Sequence, residues 1–351
     1  MSRTEMRSLS SLEALRTSLT ELGPGLDSRG QESQDWWPGE QLDHCIHHGV
    51  MEWFVERRFG GQAWSTREIT EGYLGIGSAC LTTAFVLTQL TAAIRRIAAS
   101  PNAELASDWL PALAKGERLA TVGISHLTTS RRHLRHPTLR AERTAHGFRL
   151  DGSTPWVTGA SRVDALVTGG ELPDGQQVLL LVPTNAAGVT CEPPMELVAL
   201  SASSTSTVHL ERVDVPSDHM LAGPRPDVLQ FGGGQTGGLP TSTLALALTT
   251  AAIDYLDQEG LRRTEIQTAA ELLRDDWIGL TQELRNMADG EPGSLEFLRQ
   301  RSNSLVLRAT QAALVAAKGT GYVAGHPAGR WCREALFFLV WSCPQSVAEA
   351  N

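Results

Sequence analysis

The chain has 351 residues, 41% hydrophobic and 20% charged, enough for a large core spread over two or three domains. Its formal net charge of −9 excludes the basic footprint of a nucleic-acid binder. Cys45, Cys80, Cys191, Cys332 and Cys343 form no CxxC pair, which excludes a zinc signature or disulfide framework and fits a reducing, cytoplasmic setting.

The first residues, MSRTEMRSLSSLEALRTSLTEL, lack the apolar segment of a signal peptide. Leu9, Leu12, Leu15, Leu19 and Leu22 recur at helical spacing, and residues 1 to about 116 read as helical. Phe59-Gly60-Gly61 marks a turn, and LGIGSACLTTAFVLTQLTAAIRRIAAS reads as one buried helix, too interrupted by polar residues to span a membrane. His44, His47 and His48 share a helical face beside Cys45. No carboxylate–histidine motif accompanies them, so the reading is a solvated helix end with no metal.

From about Leu119 the period changes to short β-branched segments split by Gly, Pro or Asp, as expected of an antiparallel sheet or barrel. FRLDGSTPWV reads as two strands joined at Asp151-Gly152. PRPDVLQFGGGQTGGLP reads as a linker or backbone-binding loop. Three long helical patterns follow. A last helix, opening near Ala328, carries the apolar strip ALFFLVW, too short for a membrane span.

LDGSTPWVTGAS (Leu150–Ser161), VHLERVDVP (Val208–Pro216) and GTGYVAGHPAGRWCREA (Gly319–Ala335), in this order, resemble landmarks of the acyl-CoA dehydrogenases. The resemblance covers nearly the whole chain. It implies an α+β fold with an N-terminal helical bundle (1–117), a middle antiparallel β-barrel (118–224) and a C-terminal helical bundle (225–351). It further implies FAD in a cleft completed by a neighbouring subunit, an acyl-CoA-like substrate that loses two hydrogens, and an electron-transfer partner; the wide apolar faces of LALALTTAAI and ATQAALVAA predict a homodimer or homotetramer packing through the C-terminal bundle.

On that resemblance Trp156 and Thr158 flank the flavin, and Ile124 and Ser125 meet its pyrimidine edge. Gly319, Thr320 and Gly321 form part of the cofactor site. The family's small phosphate-binding residues after position 126 are replaced by Leu127-Thr128-Thr129-Ser130-Arg131-Arg132. The basic run Arg131, Arg132, His133, Arg135, His136, Arg140 and Arg143 is either a phosphate clamp or a solvated hairpin. Lys318 stands where the family's first loop glycine would be, and Val315 where it has Gln. The family's Arg-x-x-Phe-Gly segment has no clear counterpart near GLRRTEIQ. His326 reads as a helix-entry surface residue, with a polar or catalytic role in the cleft as the alternative.

Counting on from Arg333-Glu334, the family's catalytic Glu falls on Ser342, and a serine has no basic pKa near neutrality. The alternative base position, on the first helix of the C-terminal bundle, also lacks a carboxylate between Val228 and Ile253. The catalytic residue is therefore unassigned. A dehydrogenase-like enzyme with an unusual base ranks first. A flavin-dependent monooxygenase of the same fold and a catalytically silent binding protein are the alternatives.

Overall fold

The leucine spacing at the amino terminus forms a helix, α1 (residues 12–23), that buries Leu15 and Leu19. The computed structural model describes residues 12–23, 37–127, 137–230 and 238–341. Further helices precede the strands: α2 (Gly39–His47), α3 (Thr66–Ala79), α4 (Leu81–Ala98) and α5 (Ala103–Ala114). Ser65 and Glu68 start α3 with a reciprocal capping box.

The single buried helix expected across residues 74–100 is two helices. Cys80 is extended, at φ −152°, and serves both as the end of α3 and the start of α4. Apolarity on every face, which suggested one helix, reports burial and carries no signal for a break.

The strands are β1 (Ala120–Gly123), β2 (Leu139–Arg143), β3 (Gly147–Val157), β4 (Ala165–Glu171), β5 (Gln177–Pro183), β6 (Val189–Cys191), β7 (Ser206–Pro216) and β8 (Met220–Arg225). They pair in the order β6-β7-β3-β2-β4-β5-β8, with β1 beside β4. Most joins are antiparallel as expected, but β1–β4 and β2–β4 are parallel. Local turn signals report consecutive hairpins and cannot report these longer connections.

Asp151-Gly152 is not a hairpin turn. β3 runs straight through it, and a register shift against β7 between Leu150 and Gly152 absorbs the irregularity. The turn into β3 lies earlier, where the Thr144 amide donates to the Gly147 carbonyl at 2.9 Å.

After the strands come α6 (Leu239–Gly260), α7 (Thr264–Ala288), α8 (Leu295–Ala317) and α9 (Pro327–Ala335). The apolar strip outlasts α9 as one 3-10 turn, Leu336–Leu339. One hydrophobic cluster joins the N-terminal helices, the sheet and Phe338; a second fills the α6–α8 bundle. α3 lies directly on α6, where a Cβ at Gly77 would come within 2.8 Å of the Ala247 Cβ. Glu71 then clamps α3 to α7 through Arg285, at 2.8 and 3.1 Å.

Candidate functional site

The carboxyl end of β3 departs from regular strand geometry. Its register against β7 shifts between Thr154 and Val157, and Trp156 takes φ +61°, unusual for a bulky residue. That backbone turns the indole outward, so Trp156 is 55% exposed whereas Trp53 is 2% exposed. Strained backbone of this kind persists only where the surroundings hold it.

Two segments do the holding. The Ser125 hydroxyl, on the turn after β1, donates to the Pro155 carbonyl at 2.9 Å. On the other side, the Gly159 amide donates to the Ser203 and Ser204 carbonyls at 3.1 Å. Thr158 is buried, with its hydroxyl 3.2 Å from that of Thr205, which in turn meets Ser203 at 2.7 Å. Gly159 sits at φ +66° under the ring of Trp37, and a Cβ there would lie 2.7 Å from the ring.

The structure therefore brings Ile124, Ser125, Trp156 and Thr158 together through adjacent segments. Around them lie hydroxyls that the sequence reading did not single out. Among the described residues, the buried Thr121 and Thr154 hydroxyls near β1 and that of Ser204 have no hydrogen-bond partner. The run SASSTST held the signal for Ser203–Thr205, but it read only as the entry to a strand.

Gly319, Thr320 and Gly321 lie elsewhere, in a 3-10 turn packed against α8 and α9. Gly319 is open, with nothing within 4 Å of a would-be Cβ, and Lys318 beside it is held at φ +54°. His326 caps α9, its Nδ1 accepting the Ala328 amide at 3.2 Å, and its ring lies edge-on to Tyr255.

Of the basic run, Arg140 pairs with Asp151 at 2.9 Å and Arg143 lies over the Phe148 ring at 5.8 Å, so both serve the hairpin. Arg131, Arg132, His133, Arg135 and His136 lie outside the described residues, as does Ser342. The strip leading to Ser342 is described up to Trp341, which stacks on Phe337 and meets Phe85 of α4 edge-on. His44 bonds the Ser18 hydroxyl at 2.8 Å, and the described residues hold no cluster of three or more metal-ligating side chains.

At the start of α4 the Thr83 hydroxyl donates to the Cys80 Sγ at 3.2 Å. Burial pushes the Cys80 thiol up, which keeps it neutral.

The chain matches no protein-family model. It is 26% identical over 217 residues to the Bacillus subtilis (strain 168) protein named "Probable acyl-CoA dehydrogenase YngJ", covering 59% of this chain and 56% of that one. Among solved structures, it superposes on Mycobacterium smegmatis glutaryl-CoA dehydrogenase in complex with FADH2 with TM-score 0.84. That match has 15% identity and covers 99% of this chain and 93% of the other. It also superposes on dibenzothiophene monooxygenase from Paenibacillus sp. A11-2 with TM-score 0.79 and 14% identity, covering 95% and 92%. The fold is thus the acyl-CoA dehydrogenase fold. In sequence the chain is similar to an acyl-CoA dehydrogenase over part of its length, and it spans little more than half the length of that curated relative.

Proposed function

We propose that the chain is a flavin-dependent oxidoreductase that holds FAD along the bulged end of β3 and acts on an acyl thioester. The observation that carries this reading is Trp156, half-exposed on strained backbone and braced by Ser125 and the Thr158–Thr205 hydroxyls. The residues fit the group. An open indole offers a flat apolar face. The hydroxyls of Ser125 and Thr158, with the unpartnered ones of Thr154 and Ser204, suit a ring with a polar edge. Bound there, the flavin would supply two-electron oxidation.

Trp156 would cover the ring face and exclude water from it, while Ser125 and Thr158 would fix its orientation. The open Gly319–Gly321 turn would serve the same group on a neighbouring copy of the chain, since within one chain it packs on α8 and α9. The reading includes an electron-accepting partner and a reducing, cytoplasmic setting, in line with the free thiols Cys45, Cys80, Cys191 and Cys332.

Serine at position 342 argues for slow oxidation of simple saturated acyl-CoAs, because a positioned base typically contributes about 10²–10⁴-fold. The same substitution supports a second reading, oxygen chemistry of the kind named for the Paenibacillus enzyme of this fold.

The purified protein should be yellow or take up FAD. Under anaerobic acyl-CoA its flavin should bleach slowly, and Ser342→Glu should bleach faster. Rapid bleaching of the unmodified protein would overturn the missing-base argument. Bleaching by neither protein, with oxygen consumed by the reduced flavin, would select the monooxygenase. Failure to bind FAD at saturating concentration would sink both.

A further inference from the structure

A second concave site lies in the N-terminal helices. Between α2 and α3 the chain doubles back, and residues 61–64 are strapped to residues 52–55. The Gln62, Ala63 and Trp64 amides donate to the Glu52, Val55 and Trp53 carbonyls at 2.7, 3.0 and 2.8 Å. The strap holds Ala63 at φ +52° and lays the half-buried Trp64 flat on Trp53, with ring centroids 4.1 Å apart and an 8° interplanar angle. Trp53 cannot retreat, because its ring already lies against Gly72 of α3, where a Cβ would come within 2.4 Å.

This rigid pair of indoles lines a cavity of about 360 Å³, together with Phe54, Ile69 and Arg95. That volume lies at the lower end of the range of small-molecule sites, and the cavity is an open groove whose lining is more polar than apolar. Among its polar groups is the Arg95 guanidinium, 5.1 Å above the Phe54 ring. Glu56, which also lines the cavity, is engaged by Arg58 at 3.0 Å. No carboxylate forms an ion pair with Arg95 among the described residues.

The cavity is separate from the β3 site. Cys80, at the start of α4, packs with Ala202 beside the Thr158 network, whereas Arg95 lies near the other end of that helix. Fifteen residues of helix separate them by about 22 Å.

We propose that this cavity binds a small planar anion, an aromatic carboxylate, with its ring on the outer side of Trp64, which Trp53 backs from beneath, and its carboxylate on Arg95. A guanidinium recognises a carboxylate by paired charge-assisted hydrogen bonds, and Trp64, held flat on the buried Trp53, offers a surface already fixed in place. A neutral aromatic of the same size would gain only the second contribution.

The test uses the full-length protein with its tryptophans labelled as 5-fluorotryptophan, and benzoate and benzyl alcohol as probes. Trp64→Phe and Trp156→Phe assign two of the fluorine signals. The expected result is saturable benzoate binding that shifts the Trp64 signal and leaves that of Trp156 in place. Binding should weaken at least about tenfold in Arg95→Gln and recover in part in Arg95→Lys, with benzyl alcohol also at least about tenfold weaker. Thermal unfolding of each variant keeps loss of binding distinct from loss of fold. Absence of saturation in the millimolar range, equal affinity for both probes, or unchanged affinity in a folded Arg95→Gln would each overturn the proposal.

Discussion

Gly159 joins several constraints at one residue. Its φ of +66° is a region that side chains rarely adopt, and Trp37 fills the space where a side chain would go. Gly60 shares the first constraint without the second, with φ +84° and nothing within 4 Å. The pair therefore separates conformational cost from packing cost. Gly60→Ala should cost about 1 kcal/mol, the left-handed penalty alone. Gly159→Ala should cost clearly more, about 2–4 kcal/mol, because the indole has to move as well. Urea denaturation midpoints at constant m-value measure both. Equal costs would mean that Trp37 yields freely and does not brace the Thr158–Gly159 turn.

At the scale of elements, the hydrophobic periods and the turn residues carried most of the reading. Helical spacing of Leu12, Leu15 and Leu19 and the β-branched runs after Leu119 report burial on one face, which is what those patterns encode. What the patterns miss has a common cause. The break at Cys80, the bulge at Gly152 and the parallel joins of β4 are set by contacts between segments distant in sequence. The candidate site, still a proposal, was legible in part for the same reason. Trp156 and Thr158 stood in a recognisable stretch, whereas Ser204 and Trp37 matter only through what folding sets beside them.

The tail shows such a contact at work. Asn303 of α8 is fully buried and donates to the Phe338 carbonyl at 2.9 Å, fixing the 3-10 turn that leads toward position 342. Asn303→Ala removes the donor and should destabilise the protein by about 1–3 kcal/mol. The Phe85–Phe337–Trp341 aromatic contacts should loosen with it, which near-ultraviolet circular dichroism would detect. An unchanged unfolding midpoint would show that the hydrogen bond does not anchor the turn.

For the whole molecule, the distribution of exposed apolar side chains is uneven. Among the described residues, Trp156 and Val198 are the large exposed hydrophobics before α6; the rest lie at or beyond Leu261. Leu272, Ile278, Phe297, Val315, Tyr322 and Val323 expose between 52% and 89% of their surface. One end of a chain so biased calls for a partner, and a second copy supplies a matching surface by symmetry. The Gly319–Gly321 turn lies in this region, beside Tyr322 and Val323, so association would carry it toward another subunit. We therefore predict a homodimer or homotetramer in light scattering at micromolar concentration. Replacing both Tyr322 and Val323 by Ser should lower its mass on dilution. If the neighbouring copy completes the cofactor site, the same double variant should also release flavin as it dissociates, with both transitions at one protein concentration. A monodisperse monomer that retains flavin at nanomolar concentration would reject both the assembly and the shared site.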